Sequence, residues 1–162
     1  MENEQCMNAL RNCGLKKFFL TPCLRAQPEL LQYLISIWDE DEDKFKLRDQ
    51  VLELEVSDVY FITGLSHRGP VPIMTGTGPS GENMTMVMDK VCRGARKGTG
   101  SGKVDIQTIP DLALRVVLHT ITRVATSQES HEAMKTQLLL ASECMNPTLF
   151  NWAKVVTINI KQ

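Results

Sequence analysis

The sequence predicts a mainly α fold: a helical domain with one small β-hairpin near residues 44–55. Three observations lead there. Apolar residues recur at helical spacing through most of the chain, one pair of alternating apolar runs brackets a polar turn, and strands and helices do not alternate. The chain has 162 residues, 43% of them hydrophobic, enough for a single domain over 1–162 with its own core.

Cys6, Met7, Ala9, Leu10 and Cys13 share one helical face, so the first helix is expected over 3–14 with Gly14 as its C-cap. Lys16–Leu20 continues as a short apolar segment closed by Thr21 and Pro22. Pro28 suits the first position of a helix. Residues 29–38 are apolar on most faces, so that helix is expected to be buried. The acids of 39–43 should end it, because negative charge opposes the macrodipole at a helix C-terminus. Phe45-Lys46-Leu47 and the run 51–54, separated by a polar turn, form the predicted hairpin. Ser57 is the expected N-cap of the next helix, with Asp58 in its first turn. Val59, Phe61, Ile62 and Leu65 would be its apolar stripe, and Gly64 falls near its end.

Residues 66–83 and 94–102 are dense in Gly, the former also in Pro, and read as flexible loops with a short helix over 84–91 between them. Three further helices are expected, about 110–126, 129–144 and 147–161. Asp111 would support the first of these, and Asn146 would cap the last ahead of Pro147. Residues 155–158 would suit a strand equally well.

The chemistry visible in the sequence is sparse. The five cysteines are scattered and odd in number, which argues against a disulfide framework or a zinc knuckle. Cys6 and Cys13 read as core, and Cys92 beside Lys90 and Arg93 lacks a local base. His67, His119 and His131 lie too far apart to form a local metal site. Gly76, Gly78 and Gly81 have the spacing of a dinucleotide loop, but Pro79 interrupts them and no strand precedes them. The stretch from Gly98 to Lys103 has Lys97 and Val104 where a phosphate loop needs Gly and Ser or Thr. No catalytic residue, cofactor or metal is therefore expected.

The balance of 18 Lys and Arg against 19 Asp and Glu argues against a polybasic chain, yet it hides a segregation. Residues 39–58 hold nine acids and three bases, net −6, with Asp39, Glu40, Asp41, Glu42 and Asp43 in an unbroken run. Residues 89–103 carry net +4 through Lys90, Arg93, Arg96, Lys97 and Lys103 against Asp89. Arg115, His119 and Arg123 recur every four residues and so share one helix face. These acids form a candidate docking patch, and these bases are candidate contacts to a protein or to phosphate. The plain alternative is that both are solvated surface. No apolar stretch is long enough to span a membrane, and the acidic start is unlike a secretory signal. An intracellular protein, nuclear or cytoplasmic, is expected, its oligomeric state left open.

The segment 45–72 carries a more specific pattern. Asp58-Val59, Ile62-Thr63-Gly64-Leu65, Gly69 and Val71-Pro72, preceded by the hairpin and by Trp38-Asp39, resemble the signature of the plant mobile domain. Ser66 stands where that family usually has Pro, and Phe150-Asn151-Trp152-Ala153 resembles a closing pattern of its plant relatives. The likeness spans about 45 residues from Leu30 to Pro72. It implies a domain that is usually longer, so this chain would be a truncated or diverged copy. It also implies a transposon-derived protein, or a host protein of nuclear genome maintenance or silencing; with no catalytic constellation in the sequence, action through an unidentified protein partner is expected. The alternative is a nucleic-acid-associated protein using the 90–103 loop and the Arg115/Arg123 face.

Overall fold

The computed structural model describes residues 2–22, 25–74, 89, 95, 98, 102–126 and 130–162. Among them the fold is mainly helical, with two small sheets, one more than the sequence predicts. The elements in chain order are α1 (Glu2–Asn12), α2 (Lys16–Leu20), α3 (Pro28–Ser36), β1 (Trp38–Asp39), β2 (Lys44–Leu47), β3 (Gln50–Leu52) and α4 (Val56–Thr63). Further along the chain come β4 (Lys103–Asp105), a 3₁₀ turn (Ile106–Thr108), α5 (Leu112–Thr126), β5 (Glu132–Met134), α6 (Lys135–Cys144) and α7 (Trp152–Lys161).

α5 is the axis of the core, and α1, α6 and α7 pack on it. Its apolar stripe buries Leu114, Val117, Leu118, Ile121 and Val124. The buried hydroxyls on the same helix need partners and find them in its own backbone. Thr120 Oγ1 donates to the carbonyl of Val116, and Thr122 Oγ1 to that of His119, both at 2.8 Å. Asp111 Oδ1 accepts from the Leu114 amide at 3.1 Å, which places the support expected from Asp111 at the start of α5. Cys6, Leu10 and Cys13 of the first segment and Ala141 and Cys144 of α6 close the core from either side.

α7 begins at Trp152, five residues later than Pro147 suggests, and its cap is Asn151 rather than Asn146. Asn151 Oδ1 accepts from the Lys154 amide at 2.9 Å. The loop after α4 satisfies two further donors at this end: Asn151 N–H reaches Pro70 O at 2.9 Å, and Ala153 N–H reaches Ser66 O at 3.0 Å. That docking brings the chain so close that a Cβ on Gly69, at φ +89°, would collide with the carbonyl of Leu149. Residues 155–158 are helical, not strand.

Other local expectations also change. α4 is capped by Glu55, not Ser57: Asp58 Oδ2 accepts from the Glu55 amide at 2.8 Å in a reciprocal capping box. Gly64 does end it, in the left-handed conformation at φ +69°. Phe61 and Ile62, expected on the inner stripe, face outward, while Val59 and Leu65 are buried. The helix expected over 129–144 starts only at Lys135, because Glu132–Met134 pairs antiparallel with Lys103–Asp105. The helix expected at 84–91 and the glycine motif at 76–81 lie outside the described residues, apart from Asp89.

Candidate partner-binding surface

α3 forms where the sequence places it. Pro28 begins it with Glu29 in its first turn, and the Ile37 amide closes it onto the Tyr33 carbonyl at 3.2 Å. Its environment is the opposite of the one expected. No residue of α3 is buried, and α3 is not among the elements that pack closely on one another. Leu30, Leu31 and Tyr33 are about half exposed, and Ile35 is 73% exposed. The acids of 39–43 do not end the helix; it stops at Ser36, and Trp38-Asp39 turns into a strand.

That strand converts the hairpin into a three-stranded antiparallel sheet in the order β1-β2-β3. The register aligns Trp38 with Phe45 and Phe45 with Leu52, so these three share one face. Trp38 and Phe45 meet edge to face at 4.8 Å. Leu52 and Val51 remain more than half exposed. Completely covering one Leu- or Ile-sized side chain stabilises by about 1.5–3 kcal/mol. A helix and a strand that both leave such residues open offer a partner several times that amount.

The acidic run lies between β1 and β2. Asp39 Oδ1 accepts from the amides of Asp41 and Glu42, each at 3.0 Å, and shapes the turn. The Lys46 ammonium sits 2.5 Å from Asp39 Oδ2 and 3.4 Å from Glu42 Oε1. The hydrogen bond from Lys46, with that from the Glu42 amide, holds the Asp39 carboxyl below its ordinary value; Asp39 in turn raises Lys46. Glu40, Asp41, Asp43, Asp49 and Glu53 are exposed and form no ion pair among the described residues.

The candidate cations are placed differently. Lys103 pairs with Glu132 at 3.7 Å. Arg115 donates to the Gln107 carbonyl at 3.2 Å, and the Arg123 guanidinium lies over the Phe18 ring at 5.4 Å. Arg115, His119 and Arg123 are half-buried, so part of this stripe tethers α5 to neighbouring segments. Lys90, Arg93, Arg96 and Lys97 lie outside the described residues, as does Cys92. A separate cleft of about 520 Å³ is lined by Val71, Pro72, Leu139, Leu140 and Phe150, with Glu143 also on its wall. Among the described residues no group of His, Cys, Asp and Glu is arranged to hold a metal ion, and no helix is long and apolar enough to cross a membrane.

Sequence reasoning missed Leu30, Leu31, Tyr33 and Ile35 as surface residues, because an apolar run on its own signals only that it needs cover. It also missed a thiol pair. Cys144 hydrogen-bonds with Cys13, and that bond together with burial pushes the Cys144 thiol well above its ordinary value, while Cys13 is lowered by it. Compared with family models, curated proteins and solved structures, the chain shows no match in any of the three.

Proposed function

We propose that this chain is a non-enzymatic, plant-mobile-domain-like module that works through protein–protein contacts, in nuclear genome maintenance or silencing or as a transposon-derived protein. The observation that carries the contact reading is α3, an apolar helix with no buried residue, followed in the chain by a sheet whose apolar row is partly open. The nuclear setting and the family rest on the likeness of residues 30–72 to that domain. Nucleic-acid contact through Lys90, Arg93, Arg96, Lys97, Arg115 and Arg123 is the second reading of the sequence. Its described members, Arg115 and Arg123, are already engaged within the chain.

The test compares the wild-type chain with Ile35→Glu as baits in plant nuclear extract. A stoichiometric protein retained by the first and lost by the second supports the proposal. Equal capture by both baits, or none by either, overturns it. Recovery of nucleic acid in place of protein, weakening steeply as salt rises, would establish the second reading.

A further inference from the structure

We propose that the unit of α3 and the three-stranded sheet, residues 28–53, is the docking platform for a basic amphipathic helix of another protein. The inference rests on the protein-contact reading above and names the partner's chemistry.

Two features of this unit bear on its partner. The unit's apolar residues Leu31, Ile35, Val51 and Leu52 stand open to solvent. Leu31 and Ile35 are four apart in α3 and form a ridge that a second helix can straddle. The acids Glu40, Asp41, Asp43, Asp49 and Glu53 follow in the same unit, exposed and without an ion-pair partner among the described residues. Lys46 neutralises only Asp39 and Glu42. Lys44 and Arg48 lie in the same unit, but its acids outnumber its bases, and an apolar ridge followed by a net-negative stretch calls for an apolar stripe bordered by Lys or Arg.

Charge decides against a second copy as the occupant. A two-fold contact presents the same patch from both subunits, and residues 28–53 hold eight acids against three bases, net −5. Strand geometry decides against an added β-strand. β1 has two residues and β3 has three. Leu47 and Gln50 close the two-residue turn as a hydrogen-bonded pair, so within β3 only Val51 directs its peptide groups to the open edge. A helix needs no such edge. α3 has nine residues, about 2.5 turns, so a partner helix of about three to four turns spans it.

The experiment uses the full chain and a fluorescent synthetic helix of about 14 residues, Leu on one face and Lys on the other. Binding is read by anisotropy at low and high salt. A Leu/Glu helix of the same pattern and a scrambled Leu/Lys peptide serve as controls. The Leu/Lys helix is expected to bind, both controls to bind at least tenfold more weakly, and affinity to fall with salt. Leu31→Glu with Ile35→Glu is expected to cost at least tenfold. Asp41→Lys with Asp43→Lys is expected to weaken binding and flatten its salt dependence. Circular dichroism confirms that these surface variants fold.

Equal binding by the variants, or by the Leu/Glu helix, overturns the proposal. So does a wild-type dimer in sedimentation that Ile35→Glu dissolves, since a second copy then occupies the ridge. Slow maleimide labelling of Ile35→Cys in the free chain also overturns it, because the chain then covers its own ridge. If extract capture depends on Ile35 but the Leu/Lys helix does not bind, the contact reading stands and the basic-helix partner falls.

Discussion

The indole Nε1–H of Trp152 donates to the main-chain carbonyl of Cys13 at 2.6 Å, joining residues 139 positions apart. Both residues are fully buried, so this bond fixes the start of α7 against the end of α1 where water cannot replace it. Phe150 meets the same indole edge to face at 5.5 Å.

Trp152→Phe keeps most of the apolar volume but leaves the Cys13 carbonyl without that donor. It should destabilise by about 1–3 kcal/mol. Trp152→Ala adds a cavity and should cost about 3–5 kcal/mol. Urea titrations that found both variants as stable as wild type would remove this bond from the account of the core.

Gly69 and Gly102 both have positive φ, +89° and +84°, but differ in surroundings. Gly102→Ala meets no atom within 4 Å among the described residues and should cost only the left-handed backbone penalty, about 1–2 kcal/mol. Gly69→Ala must also move the Leu149 carbonyl, so it should lower the melting temperature more than Gly102→Ala does. Equal melting temperatures would show that the 66–70 loop is not held against α7.

The buried thiols predict a labelling pattern and a pH dependence. Cys6, Cys13 and Cys144 should resist alkylation in the native chain and react fully only after unfolding. Cys144 has a folded pKa raised by its bond to Cys13 and by burial. Above about pH 8.5 the unfolded thiols ionise while the buried pair keeps a proton. Stability should then fall by about 1.4 kcal/mol per pH unit, and replacing both thiols, Cys13→Ala with Cys144→Ala, should flatten that slope. Alkaline melts with the same slope in both proteins would contradict the pairing.

Asp39 should titrate below the ordinary aspartate range because Lys46 and the Glu42 amide bond its carboxylate. Its stabilising contribution is present above the unfolded value of about 3.9 and is lost as pH falls through the lower folded value. Carboxyl NMR titration should show the midpoint rising toward the ordinary value in Lys46→Met. An unchanged midpoint would mean that the ion pair does not persist in solution.

Leu118 and Ile35 offer a direct comparison of core and surface. Leu118→Ala removes a fully buried side chain and should cost about 2–5 kcal/mol. Ile35→Ser alters a side chain that is 73% exposed and should stay within about 0.5 kcal/mol of wild type. A large loss from Ile35→Ser would place α3 inside the cooperative core.

What the sequence reveals here follows the range of the interactions. Local signals hold: the Phe45/Leu47 alternation, the stripe of α5, and Gly14 and Gly64 at positive φ after their helices. Non-local pairings are not visible in any short window. The Lys46 amide bonds the Ile37 carbonyl, which adds β1 to the hairpin. Val104 pairs with Ala133, which takes three residues from the helix expected over 129–144. Asn146 and Asn151 are both good caps, and only the docking of the 66–70 loop on Asn151 and Ala153 selects the second. In the candidate surface the acids were legible as charges, but the openness of α3 was not. Hydrophobicity shows that a side chain favours burial without showing which molecule buries it.

The core closes around α5 without drawing on any side chain of α3 or β3. Folding therefore exerts little selection on residues 28–36 and 50–52. Substitutions there can accumulate across generations without loss of the native state, so lineages descended from this chain would diverge in whom they bind well before they diverged in shape.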